Sequence, residues 1–269
     1  MKFYKIQAIF IHLLAAIKRM VKTLKCTTFS ALILLLIPLI TIIDGWQWKP
    51  FNMGYGSQIL FFVAETLTYP FIVWTNIILF VLLIWRLRYR GKSLVLLWVL
   101  VMIALVVGQS VKILLKDRVH SARPFYIWCQ EYYSVNVSTY HHKEFLDMKE
   151  TLNKCVVSNK QFPPWLMQHW LNATHFSFPS GHTIFSATWA LLVAGFLWPH
   201  RCYFTVMIVM IWAIAVISSR LVLGMHWSRD LFASIMLSWV LAICTCFIMR
   251  YIRVVCFKEL QTIERKKII

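Results

Sequence analysis

Residues 178–200 read FPSGHTIFSATWALLVAGFLWPH: a turn carrying a proline, a hydroxyl, a glycine and an imidazole, then a stretch from Thr183 to Pro199 without a single charge. Some 17 residues is the short end of what a helix needs to cross the hydrocarbon core of a bilayer. The stretch therefore reads as a membrane span, with a chemically equipped turn at its mouth.

The rest of the chain agrees with that reading. It has 269 residues, 60% of them hydrophobic, together with a formal charge of +18. Soluble globular cores do not combine these properties, whereas membrane proteins do. Charge-free windows of spanning length occur at Cys26–Ile43, Thr66–Trp85, Ser93–Val111, Thr183–Pro199, Cys202–Ser219 and Leu231–Met249. The expected fold is an all-α integral membrane protein with six transmembrane helices.

Lys and Arg are retained in cytoplasmic flanks, which sets the orientation. Lys18, Arg19, Lys22 and Lys25 precede the first window, Arg86, Arg88, Arg90 and Lys92 separate the second from the third, and Arg201 lies between the fourth and fifth. Arg250, Arg253, Lys258, Arg265, Lys266 and Lys267 follow the last. Both termini are thus expected in the cytoplasm, with Asp44–Glu65, Asp117–Phe178 and Arg220–Asp230 on the outer side. The segments follow: 1–25 a basic amphipathic helix on the inner leaflet, 26–116 transmembrane helices 1–3, 117–178 a small, partly helical extracytoplasmic cap between helices 3 and 4, 179–253 transmembrane helices 4–6, and 254–269 a cytoplasmic tail. Of the seven cysteines only Cys129 and Cys155 fall in the outer segment, where a bridge is chemically permitted. No Cys/His cluster has metal-binding spacing, so no metal or cofactor is expected. Nor is a nucleic-acid partner; the positive charge belongs to the bilayer.

Ionisable groups near a membrane are costly unless paired or wet, so their grouping is informative. Three groups lie at outward helix ends: Lys116 and Arg123-Pro124 in KDRVHSARP, Pro179-Ser180-Gly181-His182, and Ser219-Arg220, His226 and Asp230 in SRLVLGMHWSRD. Lys116, Arg123 and Arg220 supply fixed positive charge and forked donors suited to phosphate oxygens. Ser180 and Gly181 open a helix, where unpaired amides and the helix dipole attract an anion. His226 and Asp230 are four apart, on one helical face; the carboxylate can fix the imidazole tautomer and leave the other nitrogen to attack phosphorus. His182, from another helix, is the candidate proton donor to the leaving oxygen.

In that order the groups spell Lys-x6-Arg-Pro, Pro-Ser-Gly-His and Ser-Arg-x5-His-x3-Asp, and the chain resembles the type 2 phosphatidic acid phosphatase family. The resemblance implies metal-free chemistry through a phosphohistidine, with His226 as nucleophile, Asp230 as its partner and His182 as acid/base. It makes Lys116, Arg123, Ser180, Gly181 and Arg220 the phosphate binders. It also implies a bacterial inner-membrane setting, a site facing the periplasm, and lipid substrates such as phosphatidylglycerophosphate or undecaprenyl pyrophosphate. Two other activities use the same residues: a lipid phosphotransferase with another outer-leaflet acceptor, and an anion or lipid transporter. Polar groups at one face only argue against the transporter. Lys112 and Glu65 are further candidates for head-group contact. Trp46, Trp48, Trp85, Trp198 and Trp227, near span ends, read as interfacial anchors.

Overall fold

The computed structural model describes residues 2–50, 54–132, 162–173 and 176–267, and these form helices joined by turns. In chain order they are α1 (Lys2–Ile43), α2 (Tyr55–Glu65), α3 (Phe71–Leu87), α4 (Lys92–Val119), α5 (Pro124–Tyr132), α6 (Pro164–Leu171), α7 (Gly181–Leu197), a 3-10 turn (Trp198–His200), α8 (Tyr203–Val222) and α9 (Ser228–Lys267). Five stretches are long and apolar enough to cross a membrane: Ile17–Ile43, Lys92–Glu131, Gly181–His200, Tyr203–Val222 and Ser228–Arg253. The window at Thr66–Trp85 became the shorter apolar helix α3, of 17 residues. Helix α1 is continuous through residue 25, with Pro38 inside it.

Helix α7 is the centre of the molecule. It packs against α1, α3, α4, α8 and α9, and every residue from Thr183 to Leu197 is buried. The run that reads as the plainest membrane span is therefore enclosed by protein. Small residues at Ser186, Ala187, Ala190, Ala194 and Gly195 allow it, because they let neighbouring backbones approach closely. At Gly195 an added Cβ would lie 2.7 Å from both Cys246 Sγ and Thr27 Cγ2. Some hydroxyls in this packing bond helix carbonyls: Ser238 donates to Ser234 O at 2.8 Å and lies 3.1 Å from Ile184 O.

A second core lies beyond the site end of α7. Trp48, Phe125, Tyr126, Phe162, Leu166, Trp170, Leu223 and Met225 form it. The rings of Phe125 and Trp170 stack at 4.9 Å, and Trp48 meets Trp170 edge-on at 5.9 Å. Of the expected cap, α5 and α6 belong to this cluster; residues 133–161, Cys155 among them, lie outside the described residues. Cys129 is disulfide-bonded and fully buried.

The cluster seats the loop between α8 and α9. Four successive carbonyls there each accept a bond from a different residue: Val222 O from Trp48 Nε1 (2.9 Å), Leu223 O from Trp170 Nε1 (2.9 Å), Gly224 O from Phe125 N (3.1 Å) and Met225 O from Arg123 Nη1 (2.7 Å). A helix C-terminus leaves such carbonyls without intrahelical partners, and here the second core fills the need. Gly224 has φ +68°, and its Cα face lies against the Trp48 indole, where a Cβ would come within 2.7 Å. Trp48 is thus a buried clamp rather than an interfacial anchor. Trp227 is tied in as well, donating to Ala122 O at 2.8 Å.

Candidate active site

The loop delivers His226 to the end of α7. Its amide and that of Met225 both bond Arg220 O, at 3.1 and 3.0 Å, which turns the chain tightly between the two residues. His226 is buried. Its Nδ1 lies 3.5 Å from Asp230 Oδ2, an ion-pair distance without hydrogen-bond geometry; its Nε2 is 3.5 Å from Arg123 Nη1. Burial foremost, and then the guanidinium groups of Arg123 and Arg220, hold the His226 imidazole well below its ordinary pKa. Both influences favour the neutral ring.

Asp230 is fixed by the start of α9. Its Oδ2 accepts the backbone N–H of Trp227 at 3.0 Å, one half of the reciprocal arrangement by which a third-position carboxylate caps a helix. The same oxygen lies 3.5 Å from His226 Nδ1, so the cap orients the carboxylate toward the imidazole.

Ser180 caps α7 in turn. Its Oγ accepts from Thr183 N at 3.3 Å and from Thr183 Oγ1 at 2.9 Å, while its own amide is taken by Ser234 Oγ at 2.9 Å. The carbonyl of Ser180 accepts from Ile184 N. These bonds leave the amides of Gly181 and His182 as the donors of the first turn. An added Cβ at Gly181 would meet Lys112 Cδ at 2.8 Å, so the Lys112 stem runs directly over the turn. Gln109, one helical turn before it, donates to Gly181 O at 3.2 Å.

The cations gather around this turn. Arg123 and Arg220 are buried, and Lys116 is within electrostatic reach of Arg123, Lys112, Asp230 and Arg220. His182 is within electrostatic reach of Arg220, His169, Arg123 and Lys112, with its Nε2 buried and unpartnered among the described residues. The structure thus groups Lys112, Lys116, Arg123, Ser180, Gly181, His182, Arg220, His226 and Asp230 around the first turn of α7. Glu65 comes to it indirectly, through His169 Nδ1 at 3.3 Å.

The chain matches the model of the PAP2 superfamily over residues 95–253, a stretch that contains all three motifs. It belongs to the PAP2 superfamily. Among PAP2 proteins, it is 40% identical over 215 residues to phosphatidylglycerophosphatase B of Escherichia coli K12, covering 80% of this chain and 85% of that one. It is 29% identical over 223 residues to phosphatidylglycerophosphatase B of Haemophilus influenzae, covering 81% and 92%. The three motifs contain every charged member of the group around the first turn of α7 except Lys112, and the structure adds residues that they do not contain. Ser234 was legible in principle, four positions after Asp230 on the same helical face. His169 had no signal, because its partners come from positions 65 and 220.

Proposed function

We propose that lipid phosphates are hydrolysed in this pocket through a phosphohistidine on His226, at the outer surface of a bacterial inner membrane. The protein is a membrane lipid phosphate phosphatase by its PAP2 membership and its relatives. What supports the route is one observation: an imidazole with a carboxylate behind Nδ1 and a guanidinium 3.5 Å from Nε2. That arrangement presents Nε2 to phosphorus, with positive charge beside the phosphoryl oxygens.

In this reading Lys116, Arg123, Arg220, the Ser180 hydroxyl and the Gly181 and His182 amides hold the phosphoryl oxygens. Ser180 serves as an acceptor in both bonds to Thr183, which leaves its own proton for an anion. His226 Nε2 forms the N–P bond as the P–O bond to the lipid breaks, and His182 delivers a proton to the departing oxygen. A water then gives its proton to His182 and its oxygen to phosphorus; the N–P bond breaks and inorganic phosphate leaves. Asp230 stabilises the imidazolium that forms at His226. Lys112, over the turn, is placed for a head group.

The orientation rests on the polarity of α7. Its first turn is the site, whereas near its far end Arg250 donates to Gly195 O at 3.2 Å and Lys22 to Pro199 O at 3.4 Å. A 17-residue helix is about 25 Å long, so the cytoplasm-facing cations and the pocket stand on opposite sides of a bilayer core. With α3 as a sixth crossing both termini lie in the cytoplasm, residues 26–116 and 179–253 are the membrane-embedded parts, and 117–178 is an outer cap.

Phosphate release by the purified protein tests this against phosphatidylglycerophosphate, phosphatidate and a prenyl pyrophosphate, with no acceptor present. Turnover is expected with lipid phosphates and is lost in His226→Ala. Transfer that needs a second lipid acceptor would make the protein a phosphotransferase, and undiminished turnover in His226→Ala would remove the phosphohistidine.

A further inference from the structure

The pocket holds a second carboxylate–imidazole pair that none of the three motifs contains. His169, on α6, stands between Glu65 at the end of α2 and Arg220 at the end of α8. Its Nδ1 is 3.3 Å from Glu65 Oε1, and its Nε2 is 3.4 Å from Arg220 Nη2. An ionised carboxylate only accepts and a guanidinium only donates. The imidazole between them must therefore donate from Nδ1 and accept at Nε2, which is the neutral ring in one tautomer. Phe61 meets that ring edge-on at 5.3 Å and itself packs on Trp165 at 4.8 Å, so rotation of the imidazole is restricted. Burial, the largest influence on His169, lowers its pKa and favours the same neutral form.

Arg220 is 1% exposed, and its Nε and Nη1 have no partner among the described residues. A long side chain carrying a buried charge keeps one geometry only if something holds it. We propose that Glu65 and His169 are positioning residues for the reaction: they anchor Arg220 through Nη2, leave Nε and Nη1 for two phosphoryl oxygens, and thereby make phosphate affinity depend on the seating of α6. The inference rests on Arg220 being a phosphate binder. It gives the segment between α4 and α7 a role in binding, besides covering the site.

The test is a double-mutant cycle on purified full-length protein, reading KM, kcat and the inhibition constant of orthovanadate. His169→Phe keeps the ring packing against Phe61 and removes both nitrogens. His169→Gln keeps an oxygen able to accept from Arg220, and Glu65→Leu removes the acceptor from a different helix. In His169→Phe and Glu65→Leu the vanadate constant and KM are expected to rise about tenfold while kcat changes less, with His169→Gln recovering most of the loss. Combined with Arg220→Ala, His169→Phe should cost nothing more, because the group it positions is gone. Independent, multiplicative losses in the double variant would overturn the proposal, as would an unchanged vanadate constant in both Glu65→Leu and His169→Phe. Failure of the site itself would show differently, as activity surviving in His226→Ala.

Discussion

His226 and His182 differ in what stands behind them. His226 has Asp230 at Nδ1, whereas the buried Nε2 of His182 is unpartnered among the described residues. An imidazole backed by a carboxylate suits the covalent step, which every substrate needs; a lone one suits proton delivery, which matters most when the leaving oxygen is strongly basic. His182→Ala is accordingly expected to lose about 10²-fold or more in kcat with an alkyl phosphate and far less with an aryl phosphate, whose phenolate leaves unaided. Rapid-quench trapping should give a phosphohistidine in His182→Ala and none in His226→Ala. Equal losses with both esters, or a label on residue 182, would exchange the roles. The motif residues can be singled out in sequence because Lys116 and Arg123 flank the end of α4, Ser180 and His182 share one turn, and Arg220, His226 and Asp230 flank one short loop. His169 is not, since nothing in a linear spacing joins positions 65, 169 and 220; only the packing of α2, α6 and α8 makes them neighbours.

At the scale of elements, the deciding unit is the loop from Val222 to Trp227. Its carbonyls are satisfied from outside, so its shape depends on side chains of other segments. Trp48→Phe keeps the aromatic contact with Trp170 but removes the donor to Val222 O. An unsatisfied buried carbonyl costs about 1–3 kcal/mol, and a lower unfolding temperature in detergent is expected together with a smaller kcat, because His226 is four residues away on the same loop. Unchanged stability and turnover would show that the loop holds itself. Five of the six apolar windows fall on helices long enough to cross a membrane, whereas α2, α5 and α6 gave no such window, and two further properties were not legible. Hydropathy cannot tell a helix buried in protein from one facing lipid, as α7 shows. It also gives indoles near span ends a single meaning, whereas Trp85 is 65% exposed and Trp48 is 5% exposed.

For the whole molecule, the arrangement of charge predicts which surfaces an impermeant reagent can reach. Tyr55, at the start of α2, and Arg201, after the 3-10 turn, are both exposed and belong to opposite ends of the helix bundle in the proposed topology. In a background freed of reactive thiols, Tyr55→Cys should react with a charged maleimide in intact spheroplasts, and Arg201→Cys only after lysis. The reverse pattern would invert the protein in its membrane. The bonds of the loop between α8 and α9 also imply an order of synthesis. Trp48, Arg123, Phe125 and Trp170, which hold its carbonyls, all precede it in the chain, so the loop leaves the ribosome after its seat has been made. The turn at Ser180 is in the opposite position: it is made early, but the hydroxyl of Ser234 that takes its amide, and the carboxylate that faces His226, arrive only with the last helix. A nascent chain can thus insert most of its apolar mass while the phosphate pocket is unfinished, and translation of α9 is the event that turns an inserted bundle into an enzyme.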